Sequence, residues 1–347
     1  MHPGPDPRDV LVHDPETNFE ELWTTFHERY PFFDLRHVDW QEQYARYRPQ
    51  VSAQTGDSEL FDVFCEMLRP LNDGHVELIA KIDGKKRYFN PEKKPRFWRE
   101  FTEPQIEALF QTAVKTLVAS GFAQPEPTVA PILHYCRSAD IGYMRIFELE
   151  GVSNRVVAAA MDTISRDFAE LKGFIIDLRN CPGGDDSTVI TIIDRFCRHR
   201  ITAFHRRTKV GPGEDELGPL RTWYVEPRGI AQFTGPVVVL TCDSVFSGGE
   251  CFALAIRELP NVQIIGDHTN GIFSYQLEKK LPNGWDYRLS YQLYYSADML
   301  CYEGIGVPAD ITLLNTKADI QNGVDPLITA AIESINTRAA VPAWGTA

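Results

Sequence analysis

A serine at a strand-to-helix junction is the residue of this sequence best placed to do chemistry. Residues 236–240 read PVVVL, an apolar run typical of a buried parallel strand, and residues 251–259 read CFALAIREL, which has helical periodicity. Ser247 lies between them and is followed by Gly248 and Gly249. The first N–H groups of a helix have no partner within the helix and favour negative charge, so a hydroxyl at this point could act as a nucleophile.

The same serine also fits a structural role. Ser247-Gly-Gly-Glu250 has the spacing of a capping box, in which the serine caps the helix and the glutamate bonds back to the cap residue. Taken alone, this segment favours the cap over the nucleophile. The choice depends on the rest of the chain.

A histidine at a second element boundary is a candidate functional residue. Residues 71–75 read LNDGH, where a helical segment ends and VELIA, a predicted strand, begins. The simpler interpretation of His75 is an exposed turn residue. Its place at the end of an element, where functional residues often lie, is the reason to consider it further.

The pattern of elements predicts a helical domain at 1–75, a charged connecting or cap segment at 76–132 and an α/β core at 133–340. Residues 1–15, which contain several prolines, are expected to be a flexible lead-in. In the core, predicted strands and helices alternate, which indicates parallel strands with crossover helices. Residues 81–98 are the one basic stretch, and a solvated loop is favoured there over a site for a negative substrate end.

Composition narrows the classes of function. The net charge of −13 over 347 residues argues against a nucleic-acid or anionic-membrane partner. No run approaches the roughly 20 apolar residues that cross a bilayer, and no secretory signal is visible, so a cytoplasmic location is expected. The seven cysteines contain no CxxC pair, which predicts mostly buried reduced thiols and neither a metal nor a cofactor.

Four segments, in this order, resemble the tail-specific or C-terminal-processing serine protease family, which includes the tricorn core protease. They correspond to the family's "LxDxH" segment, its "DLRxNxGG" turn, its nucleophile segment with a "GExTxG" turn, and its "dGxxxEGxGVxPD" tail. In this chain they are LNDGH (71–75), FIIDLRNCPGG (174–184), VVVLTCDSVFSGGECFALAI (237–256) with IIGDHTNG (264–271), and LPNGWDYRLSYQLYYSADMLCYEGIGVPAD (281–310). One such motif is weak, but the four together cover most of residues 60–315.

The resemblance implies that Ser247, three residues before Glu250, is the nucleophile. Many members of the family use a lysine further along the chain as the general base. That position is Ile272 here, and an isoleucine cannot accept a proton. Lys279 and Lys280 lie beyond the turn in a strand-like stretch and are poor replacements. The Ser–Lys version of the mechanism is therefore not expected.

The tricorn-like branch implies a histidine base instead, which maps to His75. That branch orients its histidine through a serine just before it, which is Gly74 here, and through a glutamate that maps to Glu303. The missing serine leaves Asp73, Glu303 or a water to orient the imidazole. His268 is a second, lower-ranked candidate for the base.

The function that this resemblance implies is a serine endopeptidase acting on unfolded or C-terminal peptide segments. The amide of Gly248 and that of Gly183 or Gly184 would stabilise the oxyanion. The implied fold is α/β, a ClpP/crotonase-like spiral core with an N-terminal helical cap, and no PDZ pattern is found at 76–132. The alternatives are a non-catalytic module that binds an apolar ligand and an esterase-type acyl hydrolase. The sequence does not indicate the oligomeric state.

Overall fold

The computed structural model describes residues 12–339 of the chain. The predicted lead-in therefore lies outside the described residues up to position 11. The first helix begins at Pro15, where proline is suited to the first helical position, and the Asp14 carboxylate accepts a hydrogen bond from the Thr17 N–H at 2.8 Å.

Helices and strands are numbered here in chain order. The helices are α1 (Pro15–Arg29), α2 (Trp40–Tyr47), α3 (Asp57–Leu68), α4 (Arg96–Glu100), α5 (Glu103–Ala119), α6 (Asn154–Ser165), α7 (Asp186–Ile193), α8 (Gly248–Ile256), α9 (Lys317–Asn322) and α10 (Pro326–Ala339). The strands are β1 (Glu77–Ile82), β2 (Lys85–Phe89), β3 (Glu126–Pro127), β4 (Leu133–Arg137), β5 (Ile141–Ile146), β6 (Gly173–Asp177), β7 (Ile201–Thr208), β8 (Arg221–Val225), β9 (Val237–Thr241), β10 (Val262–Gly266), β11 (Gln276–Lys280), β12 (Asp286–Ser290), β13 (Gln292–Tyr295) and β14 (Ile311–Thr312).

Three separate stretches of the chain form a first compact unit: residues 12–93, 206–220 and 274–293. Its sheet has the strand order β11-β12-β1-β2 and is antiparallel throughout. Side chains of α1–α3 share one aromatic-rich core with β1 and β12. Trp285, for example, contacts the Phe64 ring edge-on, with centroids 6.2 Å apart. The turn that carries His75 leads directly into this sheet.

The rest of the described chain forms a second unit around a seven-stranded sheet of order β14-β10-β9-β6-β5-β4-β3. Strands β14, β10, β9, β6 and β5 are parallel to one another, as the alternation of strands and helices predicts. Strand β4 pairs antiparallel with β5, and β3 pairs antiparallel with β4. A further three-stranded sheet has the order β13-β7-β8.

Both faces of the seven-stranded sheet are buried. Along β9, Val237 and Val239 enter a core that contains side chains of α6, α7 and α8, whereas Val238 and Leu240 enter a core with α5 and α10. This explains why the strand is an unbroken apolar run, since neither face meets water. Because β5, β6, β9, β10 and β14 are parallel, their carboxyl ends lie at the same end of the sheet, and the turns after β6 and β9 are found there.

A buried ion network fixes the turn after β6. The Arg179 guanidinium makes a bidentate pair with Asp177, with nitrogen–oxygen distances of 2.9 and 2.6 Å, and reaches Asp325 at 2.7 Å. All three side chains are fully buried. Bidentate geometry is specific as well as strong, so it anchors the "DLR" segment to the start of α10.

The two units differ from the predicted division at 75/76 and 132/133. The segment 76–132 is shared between them, because β1 and β2 pair with β12 whereas α5 packs in a core with α10. The basic stretch expected to be a loop includes the turn of the β1–β2 hairpin, strand β2 and the first residues of α4, so that prediction was wrong. Six cysteines are buried, as predicted, and Cys301 is exposed. No helix within residues 12–339 is long and apolar enough to cross a membrane.

Candidate active site

Ser247 lies in a strained turn between β9 and α8. Its φ and ψ are 53° and −121°, values that residues other than glycine rarely adopt. Strained residues of this kind persist only where the surrounding structure enforces them, and they concentrate at functional sites. A sharp strand-to-helix turn also exposes the nucleophile of α/β-hydrolases. The strain is therefore a functional signal in its own right.

The serine hydroxyl does not cap α8. Ser247 precedes the helix, but its side chain makes no capping hydrogen bond. The serine half of the predicted capping box is therefore absent, whereas the Glu250 carboxylate does accept from the Ser247 backbone and has the further role described below. The half-buried Ser247 side chain keeps access to solvent.

The glycine turn after β6 packs directly on the backbone around Ser247. Gly183 has a φ of 101°, and a Cβ there would lie 2.5 Å from the Gly248 nitrogen and 2.6 Å from the Phe246 carbonyl oxygen. Gly184 (φ 137°) in turn lies against Gly248. The structure thus brings together Ser247 and the three glycines predicted to stabilise an oxyanion.

The Gly248 amide is a suitable donor. Within residues 12–339, no backbone carbonyl accepts a hydrogen bond from its N–H, as is usual in the first turn of a helix. The Phe246 N–H donates to the Cys181 carbonyl at 3.1 Å, and the Leu149 N–H donates to the Gly183 carbonyl at 2.7 Å. These bonds fix the glycine turn from both sides.

Replacing Gly183 with alanine is expected to slow phosphonylation of Ser247 by a fluorophosphonate about 100-fold or more, because the new Cβ displaces a predicted oxyanion donor. The variant should also lose roughly 1–3 kcal/mol of stability through backbone strain. Gly151→Ala is the matched control, since Gly151 also has a positive φ (76°) but has nothing within 4 Å of an added Cβ. Equal labelling rates in the two variants would contradict the assignment.

The position at which many family members carry a lysine is occupied here by a buried isoleucine. Ile272 is 3% exposed, and its carbonyl accepts a hydrogen bond from the Ser247 N–H at 3.1 Å. Lys279 and Lys280 belong to β11 in the first unit, where Lys280 is paired with Asp286. Ile272 therefore contributes backbone contacts to the turn and no proton chemistry.

The second candidate base, His268, is engaged by its own neighbours. Its Nδ1 lies 2.6 Å from the Thr269 carbonyl oxygen, which can only accept, so Nδ1 carries the proton. Its Nε2 lies 3.7 Å from the Asp267 carboxylate. With both nitrogens directed at the same turn, His268 is a weaker candidate than His75.

Glu303 is buried on the loop that packs beside the turn at 269–273. Its side chain is 3% exposed, and Oε2 accepts a hydrogen bond from the Phe273 N–H at 2.9 Å. The neighbouring Gly304 N–H donates to the Gly271 carbonyl at 2.7 Å. One turn thus contacts both Ser247 and the segment that carries Glu303.

His75 belongs to the first unit, whereas the other predicted site residues belong to the second. The imidazole is 4% exposed. The Asp73 carboxylate accepts a hydrogen bond from the His75 N–H at 2.8 Å and another from the Tyr30 hydroxyl at 2.9 Å. These contacts of Asp73 hold the backbone of the turn. Its possible role in orienting the imidazole stays a prediction.

Burial lowers the pKa of His75 to about 4, although the Asp73 carboxylate acts in the opposite direction. The imidazole is therefore neutral at pH 7, which is the form that can accept a proton. The Gln276 amide donates to the His75 carbonyl at 3.3 Å, and the Asn90 amide donates to the Gly74 carbonyl at 2.8 Å. The catalytic role of His75 stays a prediction.

The residue that sequence reasoning missed is Glu250. Its carboxylate accepts hydrogen bonds from the Thr269 hydroxyl and the Gly271 N–H at 2.6 Å each, and from the Ile272 N–H at 2.6 Å. The Ser-x-x-Glu spacing pointed to this side chain, but it suggested a local cap instead of a contact with a turn about 20 residues further on.

Comparison with known proteins identifies the family of the chain. The profile of Peptidase family S41 matches residues 140–313, and the profile of the Tricorn protease C1 domain matches residues 12–69. The chain belongs to peptidase family S41, and the resemblance stated from its motifs is confirmed.

Two curated relatives carry names that describe C-terminal processing. The chain is 26% identical over 196 residues to the carboxy-terminal-processing protease of Bartonella bacilliformis. The aligned region covers 55% of this chain and 43% of that protein. It is 28% identical over 159 residues to the carboxy-terminal processing protease CtpA of Bacillus subtilis, which covers 46% of this chain and 32% of that protein. The chain thus spans less than half the length of these relatives.

A solved structure matches nearly the whole chain. The crystal structure of a candidate peptidase from Parabacteroides merdae superimposes with a TM-score of 0.77 at 28% identity, over 93% of this chain and 97% of that chain. This likeness confirms the predicted α/β fold class with a helical N-terminal segment.

Proposed function

We propose that the protein is a serine endopeptidase in which Ser247 is the nucleophile and His75 the general base. The observation that carries the proposal is the strained Ser247 turn, with Gly183 packed against the Gly248 amide. A serine hydroxyl needs a base to become an effective nucleophile, and a neutral imidazole is such a base.

The proposed reaction has two steps, acylation of Ser247 and hydrolysis of the acyl-serine. Ser247 Oγ attacks the peptide carbonyl carbon, His75 takes the hydroxyl proton, and the amides of Gly248 and of Gly183 or Gly184 donate to the oxyanion. When the C–N bond breaks, the imidazolium gives that proton to the leaving amine. Water, deprotonated by His75, then hydrolyses the acyl-serine and regenerates the hydroxyl. Glu303 is the proposed carboxylate that stabilises the imidazolium.

The proposed substrates are peptide or protein chains, cleaved in unfolded or C-terminal segments. The names of the two curated relatives support this class of substrate, as does membership of a peptidase family. We also propose that the protein has no nucleic-acid or anionic-membrane partner, on the basis of its acidic composition.

A fluorophosphonate probe followed by peptide mapping tests the proposal. The full chain should be phosphonylated stoichiometrically at Ser247 and should hydrolyse an amide-linked peptide library, with products that mass spectrometry can place. Ser244→Ala is the matched control, because Ser244 lies in the same turn but its hydroxyl is bonded to Cys242 and Asn180. It should label like the wild type.

Three outcomes would contradict the assignment. Phosphonylation of a residue other than Ser247 would exclude it as the nucleophile. A folded protein that takes up no probe would not be a serine hydrolase of this kind. A protein that cleaves activated esters but no amide in the library would be an esterase.

A further inference from the structure

Glu250 is a fully buried charged residue in an otherwise apolar helix. All nine residues of α8 are buried, and the Glu250 side chain has no solvent exposure. A buried carboxylate is costly unless hydrogen bonds compensate it. The three donors at 2.6 Å, from Thr269, Gly271 and Ile272, supply that compensation.

All three donors belong to one turn, residues 269–272, and this turn is bonded in two further directions. Towards the nucleophile, the Ile272 carbonyl accepts from the Ser247 N–H at 3.1 Å, and the Asn270 N–H donates to the Val245 carbonyl at 2.9 Å. These bonds join the turn to the backbone at residues 245–247, so the turn helps to impose the strained φ of Ser247.

The same turn is bonded to the loop that carries Glu303. The Thr269 hydroxyl accepts from the Val307 N–H at 2.7 Å, and the Gly271 carbonyl accepts from the Gly304 N–H at 2.7 Å. A Cβ on Gly271 would also lie 2.8 Å from the Ile305 nitrogen, so the two backbones are in close contact. A change in the turn must therefore move both loops.

We propose that Glu250, as a carboxylate, is a positioning residue that holds the turn 269–272 against Ser247 and against the Glu303 loop, and so sets the geometry of both. This inference rests on the proposed function only in so far as those two residues are catalytic. Glu250 itself touches neither substrate nor reacting atoms.

The negative charge of Glu250 is essential to this role, because each of its hydrogen-bond partners donates a hydrogen bond to the carboxylate. If Glu250 were protonated, one carboxyl oxygen would carry an O–H group. That group would face other donors and would no longer accept one of their hydrogen bonds. Burial raises the pKa of Glu250 to about 7, and the bonds from Thr269, Gly271, Ile272 and Ser247 limit that rise. While the side chain stays buried, its bonds to the turn should therefore weaken as the carboxylate takes up a proton below about pH 7.

Other titratable groups on the surrounding segments have their own partners or are thiols. Asp243 and Asp267 bond to Arg96 or its backbone, and His268 bonds to Thr269. Burial raises the pKa of the Cys181 thiol to about 12, and it raises that of Cys242 as well, so neither titrates near neutrality. On the same segments, the Asp186 carboxylate accepts from the Tyr294 hydroxyl, the Glu303 carboxylate accepts from the Phe273 N–H, and Cys251 is a buried thiol. Burial also raises the pKa of the Cys301 thiol.

The test uses Glu250→Gln in the full chain, with Glu258→Gln as the matched control just beyond the same helix. Glutamine keeps the shape but presents an NH₂ group to one of the three donors. We expect kcat to fall about 10- to 100-fold at pH 8 with KM changed less than about threefold. The wild type should show a rise in kcat through about pH 7. Glu250→Gln should lack that rise, and Glu258→Gln should keep it.

A second variant moves the pH profile in a stated direction. Thr269→Val removes a donor that stabilises the carboxylate, so the rise in kcat should shift to higher pH. A purely structural defect would lower kcat without moving its pH dependence. A rise near pH 7 that persists in Glu250→Gln would overturn the proposal.

Hydrogen exchange separates this proposal from the proposed function. In Glu250→Gln, amides at 269–273 and 303–307 should exchange about 10-fold faster than in Glu258→Gln, whether or not the protein is active. Unchanged exchange in these two segments would overturn the positioning role. If Ser247 is not phosphonylated in the wild type but the exchange difference is present, the catalytic assignment fails and the positioning role stands.

Discussion

Replacing Ser247 with alanine is expected to lower kcat by about 10⁶-fold, the loss typical when the nucleophile of a serine hydrolase is removed. The reason is that no other described group takes over the attack once the oxygen is gone, whereas the oxyanion donors and substrate contacts remain. The measurement is peptide cleavage under saturating substrate, with Ser244→Ala as the control. A residual rate within 100-fold of the wild type would remove Ser247 from the mechanism.

The same position provides a check on backbone strain. At a φ of 53°, alanine is disfavoured and glycine is not. Ser247→Gly should therefore be more stable than Ser247→Ala by about 1 kcal/mol, although both are inactive. If thermal unfolding shows the two variants equally stable, the turn is not strained in the way described.

Replacing His75 with alanine is expected to cost as much as replacing Ser247, again about 10⁶-fold in kcat, because a nucleophile and its base act as one unit. The double variant should therefore be no slower than either single variant. His27→Ala is the matched control, since His27 belongs to the same unit and stacks on Trp23. Losses that multiply in the double variant would show that His75 and Ser247 act separately.

The pH dependence of stability gives a second test of His75. Its pKa is about 4 in the folded state and about 6.5 when unfolded, so the unfolded chain binds more protons between these values. Stability from this group is therefore complete above pH 6.5 and falls by about 3 kcal/mol as the pH drops to 4. Glu250 has the opposite sign over nearly the same window, because its folded pKa is raised. The difference between wild type and His75→Ala isolates the histidine, and a difference independent of pH would contradict the lowered pKa.

Much of the second unit could be predicted because its signals are local. The apolar run of β9, the helical period of α8 and the glycines at 183, 184 and 248 each specify the backbone where they stand. Parallel strands then carry the turns after β6 and β9 to the same edge. The closeness of the two turns followed from these rules, whereas the roles of Ser247 and of the glycines came from the resemblance to the protease family.

What could not be predicted depends on contacts between distant parts of the chain. The carboxylate of Glu250 is bonded to a turn that no pattern links to it, and the Ser-x-x-Glu spacing suggested a local cap. The pairing of Glu77 with Arg288 joins strands 211 residues apart, so the first unit includes stretches expected in the core. The bond between the Tyr30 hydroxyl and Asp73 joins residues 43 positions apart, and no local pattern indicated it.

The four-stranded sheet of the first unit has a consequence for biosynthesis. Strands β1 and β2 are translated early, but β11 and β12, which complete their sheet, follow about 200 residues later, as does Gln276, whose amide bonds to the His75 carbonyl. The ribosome must therefore release the segment that contains Ser247 before the histidine turn gains its final support. On the proposed mechanism, a nascent chain therefore contains Ser247 before the turn that carries His75 is supported by Gln276, and an incomplete copy should have little peptidase activity.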